Sequence, residues 1–225
     1  MTEFVRFPRT PHLAVLGNSD IRGDKVLTPQ QAVAFLAGEV LVEEKVDGEN
    51  LGISYVDGQL RCQSRGSYVE LGGQHFQGLA TWLEPRRDRL IRELGSDLVI
   101  FGEWCAVVHT VAYNALPDWL LIFDVYDRRT EGFWHDSERN LLAESIGLQT
   151  VPALEAGHFE LDDLRDRMGP SRLGAPLMEG LFLRRRNRAM DRAKLVEPSF
   201  VQAIGEHWRR RPARRNRLST SATMQ

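Results

Sequence analysis

Apolar and polar positions change period repeatedly along this 225-residue chain, and each change marks an element. Thr28-Pro29 followed by QQAVAFLAG predicts a short helix, with a cap at Thr28, proline in the first turn and Gly38 past the end. EVLVEEKV (39–46) reads as a strand. NLGISYV and QLRCQSR (50–65) form a hairpin closed by Asp57-Gly58. Residues 74–94 carry helical spacing that Pro85 breaks or kinks. DLVIFGEW (97–104) and DWLLIFDVYD (118–127) are apolar enough for strands buried on both faces. Residues 136–146 and 160–168 read as amphipathic helices. EGLFLRRR (179–186) and AMDRAKLV (189–196) read as strands paired through a turn near Asn187 to Ala189, and PSFVQAIGEHWRR (198–210) as a last helix with Pro198 near its start. Helices and strands alternate without a βαβ rhythm. The expected class is therefore α+β, with mainly antiparallel sheets flanked by helices.

Composition removes whole classes. With 42% hydrophobic and 27% charged residues, the chain is neither disordered nor low-complexity. Its length suits one large domain, or one domain with a short appendage. No apolar run approaches the ~18 residues of a membrane span, and MTEFVRFPRTPH lacks the layout of a secretory signal. The isolated Cys62 and Cys105 argue against a disulfide scaffold and for a reducing, cytoplasmic setting.

A formal net charge of -2 hides an asymmetry. Residues 183–217 carry twelve Arg/Lys against three acids, and six of the arginines fall in 209–217. A basic segment on an acidic body fits a polyanion partner, or equally a solvated tail.

No GxxxxGK[ST] loop, GxGxxG turn or GxSxG elbow is present, and the six histidines lack metal-ligand spacing. The chemistry gathers instead around EEKVDGENLGIS (43–54). Taken alone, Asp47-Gly48 also reads as a hairpin turn, with Lys45 facing solvent. Its companions follow in order: Ser64-Arg65 in CQSRG, Gly102-Glu103-Trp104 in FGEW, Phe123-Asp124 in LIFDVYD, Glu179-Gly180 in EGLFLR, and Lys194 in RAKLV.

Lys-Val-Asp-Gly followed by these motifs resembles the covalent lysyl-nucleotidyltransferases, the superfamily of ATP-dependent DNA ligases, RNA ligases and capping enzymes. The RxPRTPHL opening, EEKxDG, QSRG, GEW, HTVxYxALPDW, FDVxD and EGLxLR together resemble ATP-dependent RNA ligases near the type 2 family, over residues 6 to about 217. The resemblance implies an ATP-grasp-like nucleotidyltransferase domain over 1–197, and a C-terminal helix and basic tail over 198–225. The residues after Lys194 are too few for an oligonucleotide-binding barrel. The implied reaction joins 5′-phosphate and 3′-hydroxyl RNA ends through lysyl-AMP, in RNA repair, with ATP as co-substrate and Mg²⁺ or Mn²⁺ as the metal.

By resemblance Lys45 is the nucleophile. Arg65, Lys194 and the metal are expected to lower its pKa and stabilise the α-phosphate. Asp47 and Glu179 are expected to orient Lys45 or hold the metal. Glu103 is expected at the ribose, Phe123 on the adenine face, and Glu44, or with less support Glu43, at the adenine amino group. Arg184, Arg185, Arg186 and Arg188, with Arg209, Arg210 and Arg211, are assigned to the RNA backbone, and Trp208 is a further RNA contact to test. A second lysine usual in the last motif is absent unless Arg192 replaces it, and Arg184 stands where lysine is common. The expected protein is a cytoplasmic monomer, with an end-healing kinase or phosphatase as a candidate partner. A DNA or hybrid nick ligase and a non-catalytic nucleic-acid-binding relative are the alternatives.

Overall fold

The computed structural model describes residues 4–17, 25–73, 76–186, 191–203 and 214–220. Two antiparallel sheets face each other. The first has β1 (Val40–Lys45), β8 (Ala153–Gly157), β9 (Gly180–Arg185) and β10 (Arg192–Val196) in the order β10-β9-β1-β8. The second has β2 (Glu49–Val56), β3 (Gln59–Gln63), β4 (Leu98–Trp104), β5 (Leu120–Asp127) and β6 (Gly132–Phe133) in the order β3-β2-β4-β5-β6. The two-residue β7 (Gln149–Thr150) adds to β5 in parallel. The class is α+β, as the lack of a βαβ rhythm predicts.

Each sheet buries one face under helices. On the first sheet, α1 (Pro29–Leu36) and α5 (Leu161–Asp166) cover Val40, Val42, Leu181, Leu183 and Leu195. On the second, α2 (Leu79–Leu83), α3 (Arg87–Leu94) and α4 (Asp136–Ile146) cover Leu51, Ile53, Ile100, Leu120 and Ile122. The remaining helix, α6 (Pro198–Ala203), follows β10. Local signals account for several boundaries. Thr28 caps α1 in a capping box with Gln31, and Gly147 ends α4 in the left-handed conformation. The 74–94 stretch divides at Pro85, where a 3₁₀ turn (Glu84–Arg86) separates α2 from α3. Asp57 (φ 49°) and Gly58 (φ 77°) close the β2–β3 hairpin with the paired positive φ of a type I′ turn.

Asp47-Gly48 does not close a hairpin. β1 and β2 belong to different sheets, so this dipeptide is the crossover between them. Gly48 passes so close to the second sheet that a Cβ there would lie 2.6 Å from the Trp104 carbonyl oxygen, which requires glycine.

The basic tail expected at the C-terminus holds an ordered strap over 214–220. It runs along the 105–118 loop between β4 and β5, with Val108 N donating to Arg214 O at 2.8 Å, Leu116 N to Arg217 O at 3.0 Å and Ser219 N to Leu116 O at 2.8 Å. Asn216, buried within it, donates Nδ2 to Cys105 O at 2.8 Å and accepts from Tyr113 N at 2.8 Å. The turn expected near Asn187 to Ala189, and the expected last helix beyond Ala203, lie outside the described residues. No helix among the described residues is long and apolar enough to cross a membrane.

Candidate functional site

A cavity of about 370 Å³ opens between the two sheets, within the size range of small-molecule sites. Six of the residues singled out from the sequence border it: Glu44, Lys45, Arg65, Glu103, Phe123 and Lys194. Lys45 ends β1 opposite Gly180, and Glu179 directly precedes that glycine. This register puts Lys45 Nζ 2.5 Å from Glu179 Oε2, with side chains 23% and 12% exposed. A Cβ on Gly180 would come within 2.2 Å of Leu195 O, so only glycine permits the close strand approach.

Lys45 thus sits among carboxylates. Burial works against its charge, but Glu179, Glu103 and Asp47 outweigh burial and raise its pKa above the ordinary lysine value. Among the protein's own groups, these acids outweigh the lowering expected from Arg65 and Lys194. The resting side chain is an ammonium group held by Glu179. Burial, opposed by Lys45 and reinforced by Glu179 and Asp47, pushes Glu103 up to about 8. Burial also raises Glu179, with Lys45 and Lys194 pulling the other way and Asp47 adding to the rise.

Asp47 was expected to share in metal binding or orient Lys45. Its Oδ2 accepts from the backbone N–H groups of Thr110 and Val111, both at 2.7 Å, and its own N–H donates to Tyr113 Oη at 2.8 Å. It fastens the crossover to the 105–118 loop. No group of three or more His, Cys, Asp or Glu suited to a metal occurs among the described residues. Glu179 is the acid beside Lys45, and a cation that keeps most of its shell as water and phosphate oxygen needs only one or two protein carboxylates.

The aromatic part of the cavity has two walls. Phe123 comes from β5 and Phe182 from β9, both partly exposed. Phenyl side chains contributed from separate sheets give the cavity apolar surface suited to a planar heterocycle. Phe182 was not foreseen, because an apolar residue inside a strand reads as core. Asn50 was also missed. It pairs with Glu103 in the β2–β4 register and borders the cavity, and its Oδ1 is buried with no hydrogen-bond partner among the described residues. An unsatisfied buried acceptor is costly unless a ligand meets it. A polar residue three positions past Asp47, entering a buried strand, was the available signal. Arg9 and Thr10 reach the cavity because residues 11–13 run beside β10, with Leu13 N donating to Lys194 O at 2.8 Å.

Glu44 borders the cavity while its carboxylate is held by Ser171 Oγ at 2.5 Å and Arg172 N at 2.9 Å. Burial raises its pKa against those contacts. Glu43, its neighbour, faces the other way, into a buried ion-pair network. Arg139 Nη1 lies 2.7 Å and Arg184 Nε 2.6 Å from its two oxygens, and Asp124 takes Arg184 at 2.9 Å and Arg192 at 2.7 Å.

That network corrects two readings. Arg184, assigned to RNA, has a side chain only 8% exposed and spends its guanidinium on Glu43, Asp124 and the Phe123 carbonyl. It holds the Phe123 backbone in place and cannot reach a polynucleotide. Arg192 does not replace a second lysine, because it pairs with Asp124 and lies over Phe133, 4.1 Å from the ring centroid. Arg185 donates to the carbonyls of Ala34 and Phe35 at the end of α1. Arg186 is 40% exposed, with long contacts of 3.8 Å to Glu39 and 3.9 Å to Asp136, and remains a surface cation. Arg188, Trp208, Arg209, Arg210 and Arg211 lie outside the described residues.

The RNA ligase family model matches residues 38–196. Solved structures of similar fold include Naegleria gruberi RNA ligase variants with ATP and Mn. One has a TM-score of 0.60 and 18% identity, covering 88% of this chain and 59% of its own. Another has a TM-score of 0.60 and 16% identity, covering 89% and 63%. A third has a TM-score of 0.57 and 18% identity, covering 74% and 52%. The chain therefore spans between half and two thirds of those proteins. No curated protein matches it.

Proposed function

We propose, from the premise that this chain belongs to the RNA ligase family, that it joins 5′-phosphate and 3′-hydroxyl RNA ends at the expense of ATP, through a covalent lysyl-AMP. The observation that carries this reading is the Lys45–Glu179 pair, at 2.5 Å, beside a cavity flanked by Phe123 and Phe182. The adenine lies between the two rings with Glu44 at its edge, and Glu103 and Asn50 meet the ribose. Arg65 and Lys194 then face the phosphates.

In the first step Lys45 gives up a proton, for which Glu179 Oε2 is the adjacent acceptor. The freed Nζ lone pair attacks the α-phosphorus, the P–N bond forms and the bond to pyrophosphate breaks. Arg65 and Lys194 stabilise the charge that gathers on the phosphates. A divalent cation, Mg²⁺ or Mn²⁺, would be held by Glu179 together with phosphate oxygens and water, and would supply Lewis-acid polarisation of the α-phosphate. Asp47 keeps the crossover in register from its seat on the 105–118 loop. An oxygen of the RNA 5′-phosphate then attacks the phosphorus of the lysyl-AMP, forming a P–O–P link as the P–N bond breaks and Lys45 regains its proton. The 3′-hydroxyl attacks that phosphate, forming the phosphodiester and releasing AMP.

RNA repair is the setting we infer, with a kinase or phosphatase supplying suitable ends. Buried, free Cys62 and Cys105 suit a reducing cytoplasm. The test is the intact mass of protein stripped of AMP with pyrophosphate, then incubated with ATP and Mg²⁺. Wild type gains one AMP, about 329 Da, and Lys45→Ala gains none. Folded wild-type protein that gains no mass with either Mg²⁺ or Mn²⁺ overturns the reading. Sealing assays on matched RNA and DNA nicks then decide the strand preference.

A further inference from the structure

We propose a second binding site for the RNA: the cleft between α2, α3 and the C-terminal strap takes an unpaired stretch, with a base on Trp119 and phosphates at Arg89 and Arg215. The assignment rests on the RNA-joining function proposed above. The cleft measures about 660 Å³, and Trp82, Trp104, Trp119, Arg86, Arg89 and Arg215 are among its lining residues. Among the described residues Asp118 is the one acid in that lining, and its charge is already spent. Trp82 Nε1 donates to it at 2.7 Å, Trp119 N at 2.6 Å and Arg86 Nη2 at 3.3 Å. Arg89 and Arg215 are both exposed, and neither has an ion pair among the described residues. The cleft thus presents two guanidinium groups without a carboxylate partner among the described residues, that of Arg215 lying over the Trp119 ring. Half-buried Trp119 lies between the cores, with Arg215 5.6 Å from its ring centroid.

Aromatic faces with rim arginines are the means by which proteins hold single strands without reading sequence: stacking takes the bases and cations track the backbone. Exposed charges on a rim suit a chain passing through, whereas a free nucleotide needs its charges met inside. The location fits as well. Glu103 and Trp104 are consecutive in β4 and point to opposite faces. The first borders the ATP cavity and the second the cleft. Gly48 packs against the Trp104 carbonyl. A strand whose end reacts at Lys45 therefore passes the end of β4 to reach Trp119.

The experiment is fluorescence anisotropy of a labelled 5′-phosphorylated single-stranded RNA, without ATP, across a salt series. It compares wild type, Arg89→Gln/Arg215→Gln and Arg89→Lys/Arg215→Lys, with a blunt RNA duplex as the control probe. Both arginine heads are exposed, so the variants fold, and AMP adduct formation without RNA stays at the wild-type rate. The glutamine pair binds the single strand about tenfold more weakly near 0.1 M salt, with a salt slope shallower by about 1.4. The lysine pair keeps most of that slope, and duplex binding does not change. Wild-type affinity and slope in the glutamine pair overturn the proposal, as does an equal loss on the duplex. Binding is read without ATP, so a failure of the ligase reading would appear separately, as a missing AMP adduct.

Discussion

Two clusters of buried charge lie side by side along β1 and behave in opposite ways. Glu43 and Lys45 share a face two residues apart. Around Glu43, three guanidinium groups meet two carboxylates, and each carboxylate touches two arginines. Burial would raise Glu43, but Arg184 and Arg139 overcome it and hold its pKa below the ordinary value. Around Lys45, one ammonium faces Glu179, Glu103 and Asp47, and burial pushes Glu103 up to about 8. The balanced cluster is a scaffold that fixes the Phe123 backbone. The acid-rich cluster sets three carboxylates around Lys45, with Lys194 acting on Glu179, and the divalent cation proposed above would add positive charge there. Burial is common to both, so the local charge count separates structure from chemistry.

Breaking the scaffold has the largest effect. Arg184→Ala leaves Glu43 and Asp124 short of a partner and costs about 3–5 kcal/mol of stability, read by denaturant unfolding. The same measurement on Lys45→Ala shows a far smaller loss. Next comes Glu179→Gln, which removes the neighbour that holds the Lys45 proton. AMP adduct formation falls by about 10²–10³-fold. In wild type the adduct rate keeps rising with pH across the alkaline range, because the Lys45 pKa is raised. In Glu179→Gln the residual rate levels off at lower pH, since the largest influence raising that pKa is gone. An unshifted profile would remove Glu179 from the proton's path. The smallest effect sharpens the contrast. The folded-state pKa of Glu103 lies above its unfolded value, so its favourable contribution is complete below about pH 4.5 and is lost as pH rises through about 8. Glu103→Gln therefore flattens the fall in stability across that window. A steeper fall would mean that the carboxylate is stabilised as an anion.

Much of this was legible because local signals and tertiary structure agree. The boundaries of α4, the Pro85 break and the Asp57-Gly58 turn each follow from a residue whose conformational preference the fold uses. Ordered motifs marked six residues that meet at one cavity although they span 150 positions of sequence. The failures have one physical origin, partners far away in sequence. RRR at 184–186 looks like a solvated face, but the acids that bury Arg184 lie 141 and 60 residues distant. A hairpin and a crossover between sheets use Asp-Gly equally well, and only the pairing of β1 with β9 distinguishes them. β8 (ALEAG) carries almost no apolar alternation and exists because β1 offers it an edge. The strap hides among arginines whose charge suggests solvent, while a single buried Asn216 decides where it lies.

That strap also has a meaning in the order of synthesis. The crossover behind Lys45 is fastened through Asp47 to the 105–118 loop, and the loop is fastened to residues 214–219. A chain emerging from the ribosome carries Lys45, the proposed nucleophile, some 170 residues before the brace behind it, a long-range closure of the kind that folds late. The proposed acceptance of AMP is therefore deferred until residues 214–219 have been made, and chains that stop short of them would hold the KVDG sequence without its full bracing.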